Sequence, residues 1–159
     1  MTGVMNRTGE LPPEVIEWIS RTGGDQALLI ITVDGQVRPH VALLARDEVR
    51  VVSPGRLRVA CGAGSRSAEN LKDRSGATLS FFDADLACSI KTRVSRPPRT
   101  LLPDVVAADL EVEEVRLDTP RPSEGAARLS CGLHFEGRPP RPDIQAALQE
   151  EPPGKTSAC

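Results

Sequence analysis

The sequence predicts a mainly β domain of about six or seven short strands with two short helices. Three observations carry that expectation. Apolar and β-branched residues recur in short alternating runs, most cleanly over residues 86–94. There Leu86, Cys88, Ile90, Thr92 and Val94 fall on one side, and Ala87, Ser89, Lys91 and Arg93 on the other. Turn-forming pairs, Asp34-Gly35 and Pro54-Gly55, separate such runs. Only two stretches before residue 137 carry a helical pattern with a start and a stop signal.

Residues 1–11 show no periodicity and are expected to form a flexible tail. Pro12-Pro13-Glu14 then opens a helix, because proline fits the first turn and an acidic residue there suits the helix dipole. Val15, Ile16, Trp18 and Ile19 form its apolar stripe, with Trp18 expected against the barrel, and Gly23-Gly24 ends it. Residues 27–33 form a strand, and Asp34-Gly35 is the expected two-residue hairpin turn to a return strand over 36–44. Two more strands follow at 49–53 and 56–61. Gly62-Ala63-Gly64 is a loop, Ser65 a helix cap, and residues 66–74 the second helix, stopped by Gly76.

Strands resume at 77–82 and 86–94, and Arg96-Pro97-Pro98-Arg99 is expected to break the second of these. The apolar phase of residues 110–117 slips between Val112 and Val115, which predicts a β-bulge. Residues 129–135 are the last strand candidate. The folded domain is therefore expected over residues 12–136. The proline-rich stretch 137–159 reads as a largely disordered tail, with room for a short helix near 143–150.

Composition narrows the function. With 159 residues the chain is one domain, long enough to bury a core. Three Phe, one Trp and no Tyr leave that core to Val, Leu, Ile and Ala. A net charge of -2 and the lack of stacking aromatics argue against a nucleic-acid partner. Cys61, Cys88, Cys131 and Cys159 show neither metal-type nor disulfide-framework spacing, so no metal is expected and they read as reduced thiols. Neither a signal peptide nor a membrane-length apolar run is present, so a cytoplasmic protein without membrane contact is expected.

The segment with chemical content runs from Cys61 to Leu71. A strand feeds a glycine loop, and a polar cap starts a helix whose unpaired N–H groups and dipole favour an anion. Ser65 and Ser67 add hydroxyl donors, and Arg66 adds a fork that matches phosphate. For His40 three readings stand open: an ordinary surface or sheet histidine, which is the commoner case, a pocket lining, or a proton donor near neutral pH; His134 is expected to be structural. No Ser-His-Asp or Cys-His spacing points to hydrolysis.

Four strands, then the pattern S-R-x-x-x-N-L, then two long strands, is the layout of FMN-binding split barrels. On Arg38-Pro39-His40, Gly64-Ser65-Arg66, Asn70-Leu71 and the strands at 77–82 and 86–94, the chain resembles the pyridoxamine 5'-phosphate oxidase superfamily. The resemblance implies a split β-barrel that pairs as a homodimer with one flavin held between the subunits. It further implies that Ser65, Arg66 and the helix start bind the FMN phosphate, with Ser67 and Asn70 in the same motif. Cys61 and Gly62 would run beside the ribityl chain or the flavin edge, Ser89 and Lys91 would approach the flavin or its phosphate, and Arg38 and His40 would line the substrate side.

The implied activity is that of an FMN-dependent oxidoreductase acting on a small molecule. The alternatives are a protein that holds a flavin, deazaflavin or haem without turnover, and a dimer that has lost its cofactor. Ser67 stands where many relatives have Lys, and Ser89 where many have Gln. The oxidase's own Arg- and His-rich C-terminal substrate motif is not recognisable.

Overall fold

The computed structural model describes residues 3–21, 25–73, 75–84, 86–119 and 129–150. The strands are β1 (Gly3–Thr8), β2 (Gln26–Val33), β3 (Pro39–Ala45), β4 (Val49–Ser53), β5 (Arg56–Gly62), β6 (Gly76–Asp83), β7 (Leu86–Leu102), β8 (Val105–Thr119) and β9 (Leu133–His134). The helices are α1 (Pro13–Ser20), α2 (Arg66–Asp73) and α3 (Pro142–Glu150), and a single 3-10 turn spans Arg46–Glu48. The sheet order is β3-β2-β6-β7-β8-β5-β4, with β1 on β8 and β9 on β2. All the pairings are antiparallel. The sheet curls around one core without closing, which is the predicted split β-barrel.

Alternation along the strands builds that core. Leu28 and Ile30 of β2, Leu79 and Phe81 of β6, Cys88 and Ile90 of β7, and Leu57 and Val59 of β5 all face inward and are buried. Helix α1 adds Val15, Trp18 and Ile19. The Trp18 ring stacks on Phe81 with centroids 3.8 Å apart and planes 7° from parallel. Its indole N–H donates to an Asp83 carboxylate oxygen at 2.9 Å, so the one buried polar atom of the ring is satisfied. The expected helix-to-barrel contact of Trp18 is thus present. Gly23 and Gly24, expected to stop α1, lie outside the described residues, and the helix has already ended at Ser20.

The bulge expected in β8 lies between Lys91↔Glu114 and Thr92↔Val112, where Glu113 is the extra residue. It marks a change of partner. Before it β8 pairs with β5 from Val105 to Glu111; after it β8 pairs with β1 from Glu114 to Thr119.

Four expectations are corrected. Pro97-Pro98 does not break β7, which continues to Leu102. Between Arg96↔Asp109 and Arg99↔Ala107 it takes in one extra residue, and beyond Val94 no strand among the described residues pairs with its other edge. A missing N–H is tolerated at such a site. Residues 3–8 are not a loose tail but strand β1. Residues 129–135 contribute only the two-residue β9, whereas the short helix for which the sequence leaves room near 143–150 is present as α3 over 142–150. The β2–β3 connection is not a two-residue turn, because positive φ occurs at Val37 (61°) rather than at Gly35.

Helix α3 covers a second apolar cluster, in which Ile144 and Leu148 pack on Ala60 of β5 and on Val105 and Ala107 of β8. Arginines close its C-terminal end. Arg50 donates to the Leu148 and Gln149 carbonyls at 2.6 and 2.7 Å, and Arg58 to the Leu148 carbonyl at 3.3 Å. Arg58 itself is fully buried and grips Asp109 through two hydrogen bonds of 2.7 and 3.1 Å; Arg99 adds a third at 3.1 Å. Among the described residues no helix is long and apolar enough to cross a membrane.

Candidate functional site

The β5–α2 corner is built from short-range hydrogen bonds. The Ser65 N–H donates to the Gly62 carbonyl at 3.0 Å, and Ser65 Oγ accepts the Ala68 N–H at 3.2 Å, which makes Ser65 the cap of α2. The Ala63 N–H donates to the Asp104 carbonyl at 2.9 Å, tying the corner to the turn between β7 and β8. The Gly64, Arg66 and Ser67 amides take no acceptor among the described residues, as the first turn of a helix dictates. A Cβ built on Gly64 would meet nothing within 4 Å, so the loop faces open space. Arg66 is exposed, and its one charged contact among the described residues is Glu69 at 3.6 Å.

Facing this helix start is the β2–β3 hairpin. Asp34 organises it, its carboxylate accepting the Gln36 and Arg38 N–H groups at 2.8 and 2.9 Å and the Arg38 guanidinium at 3.0–3.1 Å. Led by the Arg38 amide, these donors hold the Asp34 carboxyl below the usual carboxylate range. The Val37 N–H returns to the Asp34 carbonyl at 3.0 Å, and Val37 takes the left-handed position. In hairpins of this kind that position usually holds glycine.

Together the two elements enclose an open cavity of about 420 Å³ lined by Asp34, Arg38, Pro39, His40 and Arg66. Its size falls within the ~300–1,000 Å³ typical of small-ligand sites. Two guanidiniums and a histidine against one carboxylate suit an anion.

The structure thus brings Arg38, His40 and Arg66 to one cavity. Ser65 and Gly62 form the corner beside it. The other expected site residues lie elsewhere. The Cys61 thiol is buried in the core, and burial pushes its pKa up to about 12. Asn70 is buried and donates to Thr32 Oγ1 at 2.9 Å, which latches α2 onto β2. Ser67 is buried with its hydroxyl unpartnered, facing protein rather than the open loop. Ser89 and Lys91 lie on the outer face of the sheet, and Lys91 pairs with Glu114 at 3.2 Å. His134 is exposed on β9, 3.7 Å from Asp25.

Asp34 is the site residue that the turn reading missed. An aspartate opening a turn and accepting the N–H two residues on is itself a sequence-level signal.

The outer face has a second character. Register rows run Val41–Ile31–Thr78–Lys91 and Leu43–Leu29–Ser80–Ser89 across β3, β2, β6 and β7. Val41 and Leu43 are 56% and 51% exposed, and Val37, in the loop between β2 and β3, is 74% exposed. One half of this face is therefore apolar and open to solvent, and the other half is polar.

A search of solved structures finds the same architecture. A histidine-to-alanine variant of HupZ from Group A Streptococcus matches with a TM-score of 0.54 at 14% identity, over 67% of this chain and 98% of that one. A candidate pyridoxamine 5'-phosphate oxidase from Lactobacillus delbrueckii matches with a TM-score of 0.50 at 18% identity, over 68% and 94%. The flavin reductase of styrene monooxygenase from Pseudomonas putida matches with a TM-score of 0.50 at 10% identity, over 70% and 89%.

This chain has the pyridoxamine 5'-phosphate oxidase-like split-barrel fold. At these identities the likeness concerns the fold. No family model and no curated protein matches the sequence. Within the split barrel, the β5–α2 corner and the β2–β3 hairpin occupy the ends of neighbouring elements, which is why residues far apart in sequence meet at one cavity.

Proposed function

We propose that this protein is a cytoplasmic FMN-binding oxidoreductase that works as a homodimer, with each flavin held between two subunits. The observation that carries this is the cavity where Arg66, at the positive end of α2, meets Arg38 and His40. A phosphate dianion fits that donor set. Arg66 supplies a fork, the open Gly64, Arg66 and Ser67 amides supply N–H groups, and Ser65 keeps its hydroxyl hydrogen to donate. Asp34 holds Arg38 in place, while Asn70 fixes the helix that carries Arg66.

The cavity offers no large apolar wall for an aromatic ring. The nearby outer face, with Val37, Val41 and Leu43 exposed, supplies one once a second copy covers it. On that covered face Ser89 and Lys91 are the polar groups available to the ring edge. A bound flavin would supply the hydride or electron transfer; the chain supplies binding, orientation and charge. Arg38 and His40 would line the substrate side of the cavity.

The test is a titration of the purified protein with FMN followed by absorbance, then addition of NADH or NADPH. A perturbed flavin spectrum that bleaches on addition of the nucleotide supports the full reading. Bound flavin that stays oxidised leaves a carrier or binding protein, and the same assay with a deazaflavin or haem separates those ligands. No spectral change with FMN overturns the assignment.

A further inference from the structure

We propose that Ile144 and Leu148 of α3 are positioning residues for the β5–α2 corner, acting through the turn between β7 and β8. This deepens the phosphate reading of that corner and rests on it. Neither residue belongs to the cavity, and the link is a short series of contacts.

Ile144 and Leu148 are 2% and 1% exposed, and they pack in a cluster of their own, separate from the main core. Their partners are Ala60 and Val105, with Leu102 packed at the margin. Ala60 lies two residues before Gly62 on β5. Val105 pairs directly with Gly62, and Leu102 pairs with Val105 across the β7–β8 turn. The next residue along the corner, Ala63, gives its N–H to the Asp104 carbonyl within that turn. The cluster under α3 is therefore continuous with the backbone that sets the Gly62–Ser65 bend.

The helix is also held from its C-terminal side. Arg50 and Arg58 bond its last carbonyls, and Arg58 is fixed by buried Asp109. Seen this way, α3 is a clamp. It presses the β7–β8 turn onto β5, and that turn holds one corner amide while leaving the Gly64 and Arg66 amides open.

The test compares the full chain with an Ile144→Ala, Leu148→Ala double variant, at a temperature where both are folded by circular dichroism. Val15→Ala, fully buried in the main core, serves as the control for a general loss of stability. Two readouts are followed: affinity for FMN, and hydrogen exchange at the Ala63 amide relative to that of Ile90. Coupling through packed contacts predicts a fall in affinity of about two- to thirtyfold, with Ala63 exchange accelerating more than Ile90 exchange. Val15→Ala is expected to change neither the affinity nor that ratio. Ile144→Val with Leu148→Met, which preserve the packing, should restore both.

Should the double variant not fold, Leu148→Ala alone gives the same comparison on a smaller scale. The proposal is overturned if Ala63 and Ile90 exchange in step in the α3 variant, or if the control weakens FMN as much. If the unmodified chain does not bind FMN, it is the flavin reading that fails. The Ala63-to-Ile90 ratio then decides the coupling by itself.

Discussion

Arg66 and Arg38 face one cavity, although one begins a helix and the other closes a hairpin. Arg38 is held by Asp34 at 3.0 Å, whereas among the described residues Arg66 has a long contact to exposed Glu69 at 3.6 Å, so Arg66 is the freer of the two to turn toward a ligand. Arg66→Ala is expected to weaken FMN binding by about 1.5–3 kcal/mol, the scale of a charged hydrogen bond. That corresponds to roughly 10- to 150-fold in Kd by calorimetric titration. Lys at the same position should restore part of the loss, because it keeps the charge without the fork.

The solvent-exposed apolar rows of β2 and β3 give a second expectation. Sedimentation at micromolar concentration should show a dimer, and Val41→Asp with Leu43→Asp should give a monomer. Both residues already face solvent in the single chain, so the substitutions should leave the fold of the subunit intact. A wild-type monomer would remove the between-subunit site.

Val37 takes φ 61° in the β2–β3 hairpin, a conformation in which a β-branched residue is disfavoured by about 1–2 kcal/mol. Val37→Gly is expected to relieve this strain. Gly loses more backbone freedom on folding, so the net gain should be near 1 kcal/mol, read as a higher urea midpoint at an unchanged slope.

Burial pushes the Asp109 carboxyl up, but the hydrogen bonds from Arg58 and Arg99 outweigh it and hold the group below the usual range. An acid with a lowered native pKa stabilises the fold above its unfolded value, near 4, and this contribution is lost as pH falls through the native value. Urea midpoints should therefore drop on acidification below about pH 4. Asp109→Asn should cost about 3–5 kcal/mol at neutral pH, because Arg58 remains buried without its partner. The variant should also show a flatter acid limb.

The thiols should divide sharply. Burial raises Cys61 and Cys88 to about 12, whereas Cys131 is exposed. A maleimide should label Cys131 in the native protein and reach Cys61 and Cys88 only after denaturant is added, as mass spectrometry of tryptic fragments would show.

Much of the barrel was legible because its strands alternate. The run from Leu86 to Val94 and the phase slip in β8 both follow from period-two patterning, and Glu113 is the residue that absorbs the slip. What was not legible has local causes. Pro97-Pro98 reads as a break because a central strand would not accept it, and the sequence does not show that β6 has already ended there. Strand β1 has no alternation to announce it. Helix α3 was legible only as a short helix among prolines, and its docking was not, because it depends on an apolar cluster with Ala60, Val105 and Ala107 and on Arg50 and Arg58 from distant strands.

The site was legible where its residues project from element ends: Ser65, Arg66, Arg38 and His40. Inside α2 the side chains were harder to place. Ser67, Asn70 and Leu71 follow the i, i+3, i+4 spacing of one helix face, and that face is buried. Helical geometry alone would have placed the Ser67 and Asn70 side chains on that buried face.

Past Val94, β7 leaves one margin without a neighbouring strand among the described residues. Such a margin is a template on which another chain could add hydrogen bonds and grow the sheet indefinitely. Pro97 and Pro98 interrupt the ladder of donors there. The dipeptide that hides this strand in the sequence thus also removes donors from that margin, which disfavours edge-to-edge growth.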